Sequence, residues 1–234
     1  MSRYLDTVEI QVKKLLQDDE NRLNEDITSI IEFAVNILSI ATPRKIVYDV
    51  TGDGSLFEWA VPATYSPDFS ILESVEYPAG QSGERLQEFL DASDFDVILT
   101  ATDTYKFRLL NDTPATTETV RFVFTAPHSL TTTSTTIPNK LQEDSVIILS
   151  AGLACQALAS FYATNSDSTI VSDVVDHKSQ SDKYAYLADR YIKMSGLESA
   201  LHTARGEEVV YSTKDLDTQY SWGRAYLFHG KRAR

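Results

Sequence analysis

One uncharged stretch, VIILSAGLACQALASFYA from Val146 to Ala163, constrains this chain more than any other feature: eighteen residues pass without a charge in a protein of net charge -13. Its length and small-residue content predict a helix over about 141–164. An ordinary surface helix carries one apolar stripe, but here Val146, Leu149, Leu153 and Ala157 line one face while Ile147, Ile148, Ala154, Cys155, Leu158 and Ala159 line the others. Both sides need cover, from a membrane, from the chain's own core or from another subunit. A membrane span needs about 20 strongly apolar residues, whereas Ser150, Gly152, Gln156 and Ser160 interrupt this one. Glu143, Asp144 and Asp167 flank it with only Lys140 nearby, so the basic asymmetry that orients a span is weak. No membrane partner is expected, and Leu149, Leu153 and Ala157 are expected at a contact between subunits.

The 234 residues are enough to bury a sizeable core. The opening MSRYLDTVEIQVKK has no apolar core of the signal-peptide type, so secretion is not expected. Cys155 is the single cysteine, which excludes an internal disulfide and makes it a small packing residue. Residues 1–223 hold all 34 acids and 17 of the 21 basic residues, while 224–234 hold four basic residues and no acid. So acidic a body repels a nucleic-acid backbone.

Two helices open the chain. Leu5, Val8, Val12 and Leu15 recur at helical spacing, then Ile27, Ile30, Ile31, Ala34, Val35 and Leu38 repeat the pattern, with Asn24 as N-cap and Pro43 beyond the end. From Arg44 to Thr125 the pattern is of strands. Ile46, Tyr48 and Val50 alternate, TGDGS supplies a turn, and Leu56, Trp59 and Val61 resume, which predicts a hairpin. Apolar runs at 71–77, 97–100, 105–110 and 120–125 complete six short strands, a sandwich or barrel, with 84–93 as a brief helix or loop across it. The Thr-rich TTTSTTIP leads into the apolar helix. A polar interhelix loop, NSDSTIVSDVVDHKS, precedes a fourth helix with Tyr184, Leu187, Ala188 and Tyr191 on one stripe, ending near Gly196. The expected class is α+β: a four-helix framework (1–43 and 127–204), an inserted antiparallel β domain (44–126) and an extended C-terminal arm (205–234).

No motif makes an enzyme. Asp49 to Ser55 imitates the start of a calcium loop, but the twelfth position is Ala60 where a bidentate Glu is required, so a turn is expected. Asp173, Asp176 and His177 lie close together, yet His128, His177, His202 and His229 lack ligand spacing, so no metal is expected. GQSG at 80–83 lacks the Gly-x-Ser-x-Gly spacing, and no glycine-rich phosphate loop occurs. No cofactor is expected. The arm instead mixes aromatic and basic residues, the composition enriched at protein interfaces. Trp222, Arg224, Tyr226, Phe228, Lys231, Arg232 and Arg234 are therefore candidates for holding a partner, with Tyr211 and Tyr220 nearby.

The succession VRFVFTAPHSL, a Thr-rich link, TIP, an Ala-rich helix, SDVVDHKS and KYAYLADRYIKMSGLE resembles the head-to-tail connector, or adaptor, proteins of tailed bacteriophages over roughly 118–200. The resemblance implies a virion structural protein in the neck, assembled in the host cytoplasm. It implies a ring, usually dodecameric, beneath the portal protein that offers an attachment surface to a tail or stopper protein and serves viral genome ejection. DNA would pass through the lumen without specific binding. A tail terminator or head-completion stopper is the alternative within the virion, and a receptor- or carbohydrate-binding module the alternative outside that class; the heptads a trimeric stalk requires are absent.

Overall fold

The computed structural model describes residues 3–16, 23, 26–80, 88–164, 171–205, 218–221 and 224–227, with the backbone alone for 171–179 and the last two stretches. It is an α+β fold with two separate hydrophobic cores.

The helical core begins with α1 (Leu5–Leu16), whose Val8, Val12 and Leu16 fall four apart and are all buried. In α2 (Ile27–Ala41) the buried apolar set is Ile27, Ile31, Ala34, Val35, Ile37 and Leu38, followed by the buried Ser39. Asp26 stands at its N-terminus without a side-chain cap bond, so burial rather than capping holds this helix; Asn24 lies outside the described residues. Pro43 ends it by disfavouring the helical conformation at Thr42, whose N–H still reaches the Leu38 carbonyl at 2.8 Å.

The uncharged stretch lies in α3 (Lys140–Thr164). Asn139 Oδ1 accepts the Gln142 N–H at 2.9 Å and caps its start, just after Pro138. This helix is long and apolar enough to cross a membrane by length and composition, but 61% of its most apolar window is buried within the protein, as in a core helix. It packs against α1, α2 and α4 (Val171–Ser195). Gly152 sets the approach to α4: a Cβ there would come within 2.9 Å of Ile192 Cγ1 and 3.1 Å of its backbone nitrogen. On α4, Tyr184 stacks on Tyr162 of α3 at 5.5 Å.

Two features of this half differ from expectation. The segment SDVVDHKS is not an interhelix loop; α4 already starts at Val171. No Gly or Pro interrupts 171–195, and a helix nucleated by its packed half extends through polar residues at little cost. A fifth helix, α5 (Glu198–Ala204), follows the left-handed Gly196 (φ 70°) and buries Ala200 and Leu201.

The β half is a sandwich of two three-stranded antiparallel sheets. With β1 (Arg44–Thr51), β2 (Glu58–Ala60), β3 (Leu72–Glu76), β4 (Phe95–Leu99), β5 (Tyr105–Leu109) and β6 (Thr119–Ala126), the orders are β1-β6-β3 and β2-β5-β4. Val120, Phe122 and Phe124 alternate along β6 and point inward, fully buried. Phe107 of β5 stacks on Phe122 across the sandwich at 4.7 Å, and Tyr65 meets Phe107 and Phe124 edge-on.

The expected β1–β2 hairpin is wrong. β1 pairs along its whole length with β6, setting Ile46 opposite Phe124, Tyr48 opposite Phe122 and Val50 opposite Val120. β2, three residues long, pairs with β5 in the other sheet. A strand that short cannot cover eight residues of β1, and the turn between them is occupied: a Cβ on Gly52 would stand 2.5 Å from the Pro114 carbonyl oxygen. The TGDGS segment therefore carries the chain from one sheet to the other. Of 84–93, residues 88–93 are irregular, with Phe89 bridging to Glu76.

The halves meet where β1 leaves α2 and β6 enters the Thr-rich link, and Arg44 pairs with Ala126 there. His128 pins this junction. Its backbone N–H donates to Ser39 Oγ of α2 at 2.9 Å, and its ring nitrogens lie 2.9 Å from the Thr42 carbonyl and 3.2 Å from the Thr136 carbonyl. Near the C-terminus, β7 (Thr218–Ser221) and β8 (Arg224–Leu227) pair antiparallel, so this part of the expected extended arm folds back on itself.

Candidate interaction surfaces

The three candidate interface residues of α3 separate by depth. Leu149 is fully enclosed by its own chain, so its side chain has no surface to offer a neighbour. That corrects the expectation for Leu149: a helix wedged between α1, α2 and α4 finds cover for most of its circumference at home. Leu153 and Ala157 are half-buried on the helical core.

Farther along α3 the cover is incomplete. Between α3, α4 and α5 an open groove of about 470 Å³ runs from Gln156 to Ala163 on one wall and from Ser181 to Ile192 on the other. Small side chains, Ala159, Ala163, Ala185 and Ala188, contribute to its lining beside the buried Ile192 and Leu201. At one end Arg205 Nη2 donates to Gln156 Oε1 at 2.9 Å; toward the other, Ser181 Oγ donates to the Ala159 carbonyl at 2.9 Å. Of the rim acids, Asp189 pairs with Lys193 at 2.9 Å, and Glu198 lies 4.0 Å from His202 Nε2. Sequence periodicity missed this groove because it depends on how α5 folds back; the Leu197, Ala200 and Leu201 spacing was the available signal.

The arm candidates are only partly placed. Arg224 and Tyr226 lie on β8, Tyr226 opposite Gln219. Trp222, Phe228, Lys231, Arg232 and Arg234 lie outside the described residues, as does Tyr211, while Tyr220 is on β7 opposite Ala225.

The chemical lookalikes have structural occupations. Asp53 Oδ1 accepts the N–H groups of Ser55 and Leu56 at 2.8 and 2.6 Å, which holds its carboxyl below the usual range and closes the turn. Asp49 is gripped by Arg121, its Oδ1 2.8 Å from Nε and its Oδ2 2.9 Å from Nη2, and its pKa is lowered by that bond. Arg121 also reaches the buried Glu76 at 3.2 Å, so one guanidinium ties together all three strands of its sheet. Tyr77 donates to Glu118, which pushes the phenol up to about 12 and the carboxyl down. Cys155 is buried, and loss of solvation pushes its thiol up to about 11, the opposite of what a nucleophile requires. Asp173, Asp176 and His177 lie on the α4 backbone, Gly80 is left-handed (φ 87°) with 81–83 outside the described residues, and His229 is likewise outside. Among the described residues no group of three or more His, Cys, Asp or Glu side chains is placed to hold a metal.

No family model matches the chain, and no curated protein matches it. Among solved structures, the neck of an empty GTA particle computed with C6 symmetry aligns at 13% identity and a TM-score of 0.26, covering 82% of this chain and 92% of that one. The neck of a native GTA particle computed with C12 symmetry aligns at 14% and 0.27, covering 82% and 94%.

Proposed function

We propose that this protein is a structural subunit of the neck of a phage-type particle, an adaptor that closes into a ring against the portal and offers a surface to the tail. The observation that carries the reading is the succession β6, Thr-rich link, α3 and α4, the stretch in which the sequence resembles the adaptor family. The open groove beside α3 supports it, since a subunit in a ring meets a neighbour on each side through two different surfaces. So does the acidic body, which suits a conduit through which DNA slides without sticking. The C-terminal arm is the portal-binding element in this reading: Trp222, Tyr226 and Phe228 supply apolar anchors, and Arg224, Lys231, Arg232 and Arg234 meet acidic groups.

A chain truncated after Thr203 tests the docking role. It should keep its helical circular dichroism but no longer co-sediment with the portal, and salt should weaken the intact complex only in part, because the aromatic contacts are not screened. Undiminished portal binding by the truncated chain contradicts the arm's role.

A further inference from the structure

We infer that the groove between α3, α4 and α5 of one copy receives the outward face of α2 from a second copy, which names the two surfaces of a repeating subunit contact. The inference rests on the ring reading above and goes beyond it by assigning partner surfaces and their direction. Phe33 and Ile40 project from α2 with 40% and 42% of their surface exposed, and Asn36 lies between them on the same face. The inward face of α2, with Ile31, Ala34, Val35 and Leu38, is already sunk in its own core. The outward face therefore cannot turn toward its own groove and is open to another molecule.

Dimensions and charge match. Phe33 to Ile40 is seven helical steps and Gln156 to Ala163 is seven, so knobs and groove each run for about 10.5 Å. The alanines in the lining give two bulky side chains room and let a helix backbone approach. Glu32 adjoins the Phe33 end of the stripe, and Arg205, whose Nη2 is held by the neutral amide of Gln156, marks one end of the groove. Setting Glu32 toward Arg205 lays the incoming α2 parallel to α3 and brings Ile40 over Ala163. Groove against groove leaves both hollow and stripe against stripe leaves both grooves empty, so the contact joins two different surfaces; a reciprocal exchange between two copies would stop at a dimer, and the ring reading therefore makes the contact heterologous.

Cysteine pairing tests this in the full-length protein, because the native Cys155 is fully buried and serves as the silent background. Ile40→Cys and Ala163→Cys change exposed positions, and circular dichroism checks that each variant folds. The two variants are co-expressed, treated with a short bis-maleimide and examined in parallel by native mass spectrometry. A covalent dimer in the co-expressed sample, absent from either variant alone, is the expected result. An intact ring without that dimer, or cross-linking of a single variant to itself, overturns the assigned surfaces while leaving the ring reading in place. Monomer throughout overturns both.

Discussion

The helical and β halves of this chain solve burial in opposite ways. The helices build their core from aliphatic and small residues, with Gly152, Ala151 and Ala154 letting α3 sit close to its neighbours. The sandwich builds its core from a few large rings, Phe107, Phe122 and Phe124, and sets ion pairs around it: Lys45 with Glu73, Lys106 with Glu58, Arg108 with Asp96 and Arg121 with Asp49. Aromatic rings fill the sandwich and leave a cleft of about 290 Å³ beside Tyr65, Ile71 and Phe95, whereas small residues between helices leave the larger groove. The larger groove thus lies in the helical half, beside the apolar α3.

The comparison breaks hardest at the aromatic core. Phe122→Ala should cost about 3–5 kcal/mol and melt the β half first, leaving helical ellipticity largely in place during thermal denaturation. A single transition losing both signals together would show that the two cores act as one unit. Gly152→Ala should cost about 1–3 kcal/mol, because the added methyl meets Ile192 and the backbone of α4; denaturant melts of the helical signal measure it. An unchanged midpoint would mean that the helices slide apart freely, which this close packing does not permit.

Ala157→Glu and Leu149→Glu sharpen the contrast within α3. The first, at a half-buried position, should leave a folded chain with impaired assembly. The second buries a charge in the enclosed core and should abolish folding, as read by loss of near-ultraviolet dichroism.

Much of this was legible in sequence, for physical reasons. The apolar run at 120–125 and the repeats Leu5, Val8, Val12, Leu15 and Ile27, Ile31, Ala34 are local patterns, and each describes one face of one element, although α1 buries Leu16 more deeply than Leu15. Strand pairing is not local. TGDGS has hairpin chemistry, yet β1 bonds to β6, some seventy residues on, because only β6 has the length and the matching inward residues. The polar start of α4 concealed a helix for the converse reason: its propagation depends on the packed half beyond it. Phe33 and Ile40 fell outside the buried stripe of α2 and were the one local trace of an outward apolar face.

The smallest expected effect is electrostatic. The pairing with Arg121 lowers the Asp49 pKa in the folded chain, so its contribution is present above the unfolded value near 3.8 and is lost as pH falls through the lower folded value. With 44% of the Asp49 side chain exposed, Asp49→Asn should cost no more than about 1 kcal/mol at neutral pH. The difference between the native and variant proteins should vanish in acid-titration melts below that range. A difference that persisted there would mean that Asp49 acts through packing rather than charge.

Native mass spectrometry of the full-length protein, with and without a portal, tests the central claim most directly. A closed ring of identical subunits, twelve on the adaptor reading, is the expected species, formed alone or on adding the portal. A monomer or a trimer under both conditions would contradict it.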